Sequence, residues 1–406
     1  MKTLFKSAMG LVVWGLCGCG VATDDATSEQ APLGKDTAAS TLAGVSQGYR
    51  GDFNGDGIED IIVVTGSGTN EYLGQGNGGF STSKWSQPSL TLSSVTFTVG
   101  DFNKDGRSDI IVTTSGGSSE YTGNPNGGFT ATSWVRTDLP LNAVSYHSGD
   151  FNGDGATDLL ITTAFGTFEY YGVQNGTFRD TGWSAGWPLG SYTFVVGDFN
   201  NDTRTDLIVT NASGSYEFLG LIGANGGFSQ ATWPAGINFL LNQSLFFPGD
   251  YNGDGSFDLI AQNSFAAYEF HGISGVSGGF TNPVWTRTDL TPLNAATFIP
   301  GDFNGDGKWD TVIATGFGAF LYLGRSGNQG ITGDVWHDSS LVSYTTGFYA
   351  GNFAGTNTTQ QKITDLIVIT TSGSNEYRGI AGTTTGGFST NWWIQPQLAL
   401  GQVGYF

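Results

Sequence analysis

A ten-residue segment recurs along the chain at a nearly constant interval, and this repetition limits the possible folds more than any other feature. The segment GDFNGDGIED occupies residues 51–60, and a decayed copy begins at Gly351. Since the copies lie about 50 residues apart, each repeat is expected to form one supersecondary unit. Close variants of the segment begin at Gly100, Gly149, Gly197, Gly249 and Gly301.

Each repeat has the pattern of four short strands. In the second repeat, residues 95–99 alternate between apolar and polar, and residues 109–112 form an apolar run after the Asp-rich loop. Residues 119–121 and 129–134 predict a third and a fourth strand. Seven such units, closed radially, leave no exposed sheet edge. The sequence therefore predicts an all-β, seven-bladed β-propeller of four-stranded antiparallel blades over residues 45–406, with Val403–Phe406 as a closing strand beside blade one.

The Asp-rich loops carry oxygen-bearing side chains at positions one, three, five and nine. Calcium prefers six to eight oxygen ligands, and Gly57 at position six allows the tight turn that such a loop needs. The alternative is an Asp/Asn/Gly turn that holds no ion. We predict about six Ca²⁺ sites, formed by Asp52, Asn54, Asp56, Asp60, Asp101, Asn103, Asp105, Asp109, Asp150, Asn152, Asp154, Asp158, Asp198, Asn200, Asp202, Asp206, Asp250, Asn252, Asp254, Asp258, Asp302, Asn304, Asp306 and Asp310.

Two loops depart from this pattern. The loop that begins at Asp198 has Thr203 where the others have Gly, and its occupancy is the least certain of the six. The seventh loop, which begins at Asn352, lacks the ligands at positions three and five and is expected to bind nothing. An EF-hand is excluded, because position twelve is apolar (Val63 in the first loop), whereas that motif requires a bidentate Glu there.

The loops resemble the FG-GAP or VCBS repeats of integrin α-chain propellers, whose pattern is DxDxDGxxD. Residues 101–109 fit this pattern with Asn at position three. The resemblance covers residues 45–406, and it implies calcium loops between the first and second strands of each blade. The repeat plan is also similar, more weakly, to that of seven-bladed propeller lectins, which implies a sugar-binding role.

The chain is strongly acidic, with a formal net charge of -20 and a pI near 4.2. Three Asp residues in each of six loops account for about half of the 35 acidic residues. Bound divalent ions would offset much of this charge. An acidic surface argues against a nucleic-acid partner.

The N-terminal 44 residues predict export from a bacterial cell. Lys2 and Lys6 precede a short apolar run, as in a secretory signal, and residues 16–19 resemble a lipobox with Cys19 as the lipidated residue. The alternative is ordinary cleavage after Ala22. We therefore expect a secretory signal of the lipoprotein type at residues 1–19 and a disordered tether at residues 20–44, so that the protein is secreted or is an outer-membrane lipoprotein. Cys17 and Cys19 are the only cysteines, so no disulfide stabilises the propeller.

Two further residue types recur once per repeat. A Glu precedes an aromatic residue on the third strand of every blade except blade six, which has Leu321, and this position favours a structural role. A Trp occupies a constant position on the fourth strand, where packing between blades is a more common role than sugar binding. The repeated tryptophans are Trp85, Trp134, Trp183, Trp233, Trp285, Trp336 and Trp393.

The residues favour a binding module and not an enzyme. Residues 45–406 contain three His, no Cys and none of the local motifs of nucleophilic or zinc-dependent hydrolysis. We expect a monomer that binds glycans or, second, a protein surface, and a lipid anchor would be its only membrane contact. The ring face opposite the Asp loops is free for ligands. The alternatives are a hydrolase acting on polysaccharides and a structural protein of the cell envelope.

Overall fold

The computed structural model describes residues 46–395, except 77–78, 82–83, 175, 224, 234–236, 238, 291–292, 294, 344–345, 354–362, 371–372, 381–386 and 390–393. The predicted signal, Cys19, the tether, Trp393 and the predicted closing strand Val403–Phe406 lie outside these residues. Over the described ranges, no helix has the length and apolar character needed to cross a membrane.

The described residues form seven antiparallel sheets. Blades one to four contain β1 Ser46–Gly51, β2 Asp60–Thr65, β3 Gly68–Tyr72, β4 Ser86–Gln87; β5 Val95–Gly100, β6 Asp109–Thr114, β7 Gly117–Gly123, β8 Phe129–Arg136; β9 Val144–Gly149, β10 Asp158–Thr163, β11 Gly166–Val173, β12 Thr177–Ala185; β13 Thr193–Gly197, β14 Asp206–Asn211, β15 Gly214–Gly220 and β16 Phe228–Gln230. Blades five to seven contain β17 Ser244–Gly249, β18 Asp258–Asn263, β19 Ala267–Phe270, β20 Trp285–Arg287; β21 Ala296–Gly301, β22 Asp310–Thr315, β23 Gly318–Tyr322, β24 Asp334–Asp338; β25 Gly347–Gly351, β26 Asp365–Thr370, β27 Gly373–Gly379, β28 Phe388–Ser389 and β29 Ile394–Gln395.

Strands are adjacent in the order in which they occur in the sequence, so the chain is a seven-bladed propeller. In the last blade, β29 also pairs with β27. The first strands of successive blades contact each other, which places them closest to the ring axis. Because neighbouring strands alternate in direction, the Asp loops and the third-to-fourth turns share one face of the ring. The second-to-third turns and the connections between blades share the opposite face.

The second strand of each blade is buried along almost its whole length. All six residues of β2 are buried, as are the first five of β6 and β10. These strands are rich in Ile, Val and Leu, which pack well when a strand is covered on both of its faces. The resulting core crosses blade boundaries: Tyr49 and Ile62 of blade one share one hydrophobic cluster with Phe97 of blade two.

Aromatic residues join successive blades. Phe53, at position two of the first loop, has a ring centroid 5.2 Å from that of Phe129 in blade two. Trp85 contacts the same Phe129 at 5.2 Å and Phe97 at 6.3 Å. Trp134, Trp183, Trp233 and Trp336 make equivalent contacts with a Phe of the next blade, which confirms that these tryptophans pack between blades. Trp85 and Trp233 lie just outside the fourth strands.

The ring closes between blades seven and one. Phe353 of blade seven lies 5.5 Å from Phe80 of blade one, and the Gly79 N–H donates to Glu376 Oε2 at 2.7 Å. The Glu59 N–H also donates to the backbone carbonyl of Asn352 at 2.9 Å. Among the described residues, blade one is therefore built from the N-terminal repeat and is joined to blade seven through side chains and loop backbone.

Candidate functional site

Each Asp loop is held together by hydrogen bonds from its own backbone. In the first loop, Asp52 Oδ1 accepts from the N–H groups of Gly55 and Asp56, and Oδ2 accepts from Gly57. Asn54 Oδ1 accepts from the Asp56 N–H at 2.9 Å, and Asp56 Oδ1 accepts from the Ile58 N–H at 2.9 Å. The residues at positions one, three and five are therefore brought together at the end of the first strand.

Position six requires a left-handed backbone conformation. Gly57 has φ 82°, and glycines occupy the equivalent position of four other loops with φ between 82° and 90°. Thr203 adopts the same conformation with φ 71°, which is strained for a β-branched residue. Its N–H still donates to Asp198 Oδ2 at 2.9 Å. The fourth loop therefore keeps the geometry of the others despite the missing glycine.

The Asp at position nine anchors the loop to the blade. Asp60 is fully buried, and its two oxygens accept from the N–H groups of Phe53 and Gly74, both at 2.8 Å. Burial raises the pKa of Asp60 to about 8, and the same cause raises the pKa of Asp109 to about 8. This side chain therefore joins the start of the loop, at Phe53, to the third-to-fourth turn, at Gly74. The ligand pattern alone did not reveal this role.

The chemistry of the loops suits a hard cation. Over the described ranges, no group of three or more Asp, Glu, His or Cys side chains is arranged to hold an ion. In the first loop, the carboxylates of Asp52 and Asp56 accept from backbone N–H groups. The loops nevertheless offer only oxygen ligands, and the Oδ1 atoms of Asn103 and Asn200 are buried without a hydrogen-bond partner. An amide oxygen in this state is a ligand suited to calcium. The residues therefore fit the predicted ion, whose binding stays a prediction.

Position seven divides the loops into two alternating classes. Loops two and four carry Arg107 and Arg204, which form ion pairs with Asp105 and Asp202 at position five. In loop six, Lys308 Nζ lies 2.8 Å from Asp306 Oδ2. Loops one, three and five have the uncharged residues Ile58, Ala156 and Ser256 at this position.

Backbone hydrogen bonds link the loops into a closed circle. The N–H at position eight of each loop donates to the carbonyl at position one of the preceding loop, as Ser108 does to Asp52 at 2.7 Å. The decayed seventh loop closes the circle, because the Glu59 N–H of loop one donates to the Asn352 carbonyl of loop seven. The other donor and acceptor pairs are Thr157 and Asp101, Thr205 and Asp150, Phe257 and Asp198, Trp309 and Asp250, and Thr364 and Asp302.

The repeated third-strand Glu joins its blade to the next one. Glu71 Oε2 accepts from the Gly128 N–H of blade two at 2.8 Å, and Glu169 Oε2 accepts from the Gly227 N–H of blade four at 2.9 Å. Burial raises the pKa of Glu71 and of Glu169 to about 7. These contacts confirm a structural role for the position. The partner lies in the next repeat, so no local sequence pattern identifies it.

Three phenylalanines that no sequence motif marked as functional project from the face opposite the Asp loops. Phe165, Phe265 and Phe317 occupy equivalent positions in the second-to-third turns of blades three, five and six, with exposed fractions of 91%, 76% and 86%. Blades one and four have Ser67 and Ser213 there. The sequence does contain a signal for this feature, namely a large apolar residue in a turn whose other residues are small or polar.

A cleft of about 340 Å³ lies between blades one and two, on the same face as these phenylalanines. It is bounded by Trp85 and Gln87 of blade one and by Tyr121 of blade two, with the second-to-third turn of blade two at its mouth. Pockets of this size accept one small ligand. The cleft is formed by residues of two adjacent repeats, so no local sequence pattern identifies it.

Comparison with known proteins supports the repeat assignment and the fold. Residues 52–112, 101–161 and 150–209 match the FG-GAP-like repeat. No curated protein sequence matches the chain.

Solved structures with the same fold are distant in sequence. A lectin from Agrocybe aegerita, described by its specific recognition of non-reducing terminal N-acetylglucosamine, is 13% identical with a TM-score of 0.59, covering 92% of this chain and 94% of the lectin. BBS1N, solved in complex with ARL6DN, is 12% identical with a TM-score of 0.53, covering 86% and 95%. The chain is thus a seven-bladed β-propeller that carries FG-GAP-like repeats in residues 52–209.

Proposed function

We propose that the protein is an exported, calcium-stabilised binding module whose ligands are glycans. The observation that carries this proposal is the exposure of Phe165, Phe265 and Phe317 at equivalent turns of one ring face. Apolar side chains that are exposed singly are common on protein surfaces, but these three recur at one turn position on one ring face, which favours a shared role in binding. An exposed aromatic ring offers a flat apolar surface to the C–H groups of a sugar ring.

The arrangement of these residues favours an extended or clustered glycan. The three phenylalanines lie on separate blades, so each ring contacts a different part of a large ligand. Several weak contacts on one rigid scaffold raise the overall affinity through effective concentration. The recognition of N-acetylglucosamine by the Agrocybe aegerita propeller supports the choice of glycans as the first ligand class to test.

Calcium has a structural role in this proposal. The Asp and Asn side chains at positions one, three, five and nine of the six intact loops would hold the ions at the ends of the first strands. When bound, Ca²⁺ supplies positive charge that offsets the neighbouring carboxylates. The ions would stabilise a propeller that contains no cysteine after residue 19.

Export is the remaining part of the proposal, and it rests on the N-terminal sequence alone. The signal at residues 1–19 and the lipobox ending at Cys19 would deliver the protein to the outside of the cell or to the outer membrane. Residues 20–44 would then separate the propeller from the lipid anchor. Labelling with a radioactive fatty acid, compared between the natural chain and Cys19→Ser, tests this step.

The glycan proposal is tested by an array of neutral and acidic glycans, probed with and without calcium. We expect binding to one family of glycans and loss of signal in the triple variant Phe165→Ala, Phe265→Ala, Phe317→Ala. The matched control replaces Ser67 and Ser213, at the same turn positions, with Ala and keeps the signal. Absence of binding to every glycan by a folded, calcium-loaded protein would reject the proposal, and binding to a protein surface would then be tested.

A further inference from the structure

We propose that the cleft between blades one and two is a specific pocket for one uncharged sugar ring. The inference rests on the proposed glycan-binding function and names the site that selects the sugar. Trp85 and Tyr121 form its aromatic walls, and Gln87 faces the same space. The exposed phenylalanines would add contacts elsewhere on the face, whereas this cleft would discriminate between sugars.

The lining has the chemistry of a neutral sugar site. Trp85 and Tyr121 are both partly buried and provide apolar surface. The amide of Gln87 and the hydroxyl groups of Ser89, Thr114 and Ser119 provide hydrogen-bond donors and acceptors around that surface. None of the lining residues is charged, so nothing in the cleft offsets the charge of an ionised ligand. A pyranose combines apolar faces with a rim of hydroxyl groups and matches this surface.

The equivalent aromatic residue is covered at other blade junctions. Tyr170, which corresponds to Tyr121, lies beneath the guanidinium of Arg136 of the preceding blade, 5.9 Å from the ring centroid. Tyr322 lies beneath Arg287 at 5.8 Å, and the Arg287 guanidinium also donates to the Tyr322 hydroxyl at 3.3 Å. An arginine therefore occupies the space above the ring at the junctions of blades two with three and five with six.

Two further junctions are filled by aromatic side chains. Trp187 packs on Phe218 between blades three and four, with centroids 5.0 Å apart. Phe239 packs on Phe270 between blades four and five at 5.9 Å. At these four junctions, an arginine or an aromatic side chain covers the residue that corresponds to Tyr121. The junction of blades one and two contains a cavity beside Tyr121.

Two positions account for this difference. Gln87 follows Trp85 by two residues, as Arg136 follows Trp134 and Arg287 follows Trp285. Each of these arginines is held by an Asp two residues later: Arg136 Nε lies 2.9 Å from Asp138 Oδ1, and Arg287 Nε lies 2.7 Å from Asp289 Oδ1. Blade one has Ser89 at that position. It therefore lacks both the covering side chain and the carboxylate that holds it in place.

The double variant Gln87→Arg, Ser89→Asp tests the inference by copying the covered junctions into the open one. The probes are N-acetylglucosamine and its β-linked trimer, with other neutral sugars selected by the array, and binding is followed by tryptophan fluorescence and calorimetry. We expect the variant to lose at least about tenfold in affinity, equivalent to about 1.4 kcal/mol. Its melting temperature should match that of the natural chain, because the introduced pair already occurs twice in the fold.

The matched control is Arg136→Gln, Asp138→Ser, which alters the neighbouring junction and should keep the natural affinity at the first cleft. Tyr121→Ala provides a second variant of the cleft and should weaken binding to a similar extent. If the folded Gln87→Arg, Ser89→Asp variant binds the sugar as the natural chain does, the cleft is not the site, although glycan binding itself stands. A ligand that binds only when acidic would also overturn the inference. Failure of the natural chain to bind any glycan would reject the broader proposal.

Discussion

At the scale of a single residue, the side chain at position seven sets the net charge of an Asp loop. Arg107 pairs with Asp105 and also donates from Nε to the carbonyl of Gly123 at 2.8 Å. The guanidinium therefore ties the loop to the end of the third strand while neutralising one carboxylate. Ile58 provides no such charge in loop one. We expect loops two, four and six to depend less on a bound ion than loops one, three and five.

Arg107→Leu tests this expectation. The change leaves Asp105 without its cation, so repulsion between the carboxylates of loop two increases when no ion is bound. Calcium affinity measured by competition with a chelating dye at low salt should rise several-fold for one site. The variant should also melt at a lower temperature than the natural chain when calcium is removed. The control, Arg179→Leu, alters an arginine outside the loops; an equal effect of the two changes would refute the role given to position seven.

The buried third-strand glutamates predict a dependence of stability on pH. The folded-state pKa of Glu71 is about 7, above the ordinary value of 4.5, because burial disfavours its charged form. The folded protein therefore binds this proton more tightly than the unfolded chain does. The resulting stabilisation is fully present below pH 4.5 and is lost as pH rises through about 7.

Glu71→Gln removes this titration and keeps an oxygen that can accept from the Gly128 N–H. In calcium-free buffer, the melting temperature of the natural chain should fall between pH 5 and pH 8, and it should fall less in the variant. Thermal unfolding followed by circular dichroism at four pH values provides the comparison. Glu59→Gln, a change outside the third strands, serves as the control. Parallel pH profiles for the natural chain and Glu71→Gln would contradict the prediction.

At the scale of the blade, two phenylalanines illustrate how position decides the role of a residue. Phe102 is fully buried and packs on Phe178 of the next blade at 5.1 Å, whereas Phe165 is 91% exposed in a turn. Phe102→Ala should lower the free energy of unfolding by about 3–5 kcal/mol through a cavity between blades. Phe165→Ala should change it by less than about 0.5 kcal/mol.

Denaturant unfolding at fixed calcium concentration measures both values. The same chemical change in two positions makes each variant the control for the other. A large loss of stability in Phe165→Ala would show that this ring packs against the fold, and it would remove the main support for a binding role. A loss below about 1 kcal/mol in Phe102→Ala would contradict the inter-blade packing described for the loop residue at position two.

The sequence was sufficient to predict the elements of a blade because each depends on neighbouring residues. The alternation of residues 95–99, the Asp loop and the apolar run of β6 are local patterns, and all three occur as predicted. The number of blades followed from the repeat count. The repeated Trp and Glu were assigned structural roles that their contacts confirm.

Features formed between blades were not predictable in the same way. The partner of Glu71 is Gly128, which lies in the next repeat and is recognised only once the blades are placed side by side. The cleft beside Tyr121 depends on what the preceding blade places above that ring, and Gln87 has no distinctive pattern of its own.

At the scale of the whole molecule, we expect calcium removal to destabilise the ring. An ion present at one hundred times its dissociation constant adds about 2.7 kcal/mol if it binds only the folded state, and several sites would add to this effect. The melting temperature should therefore fall markedly in EDTA and recover when calcium is restored. Metal analysis before and after chelation is the necessary control. An unchanged melting curve after verified removal of the metal would refute the stabilising role of calcium.

The circle of backbone hydrogen bonds has a consequence for how the loops would fill. The carbonyl of Asp101 accepts from Thr157 of the next loop, while the side chain of the same Asp101 is a predicted ligand in its own loop. A shift of Asp101 toward an ion therefore moves the backbone that positions the third loop. Each loop is linked in this way to both of its neighbours, so filling one site alters the next. An ion that fixes one loop also fixes the backbone that positions its neighbour, so uptake should be positively cooperative, with a Hill coefficient above one when calcium-free protein is titrated with Ca²⁺. A Hill coefficient of one would show that the loops fill independently.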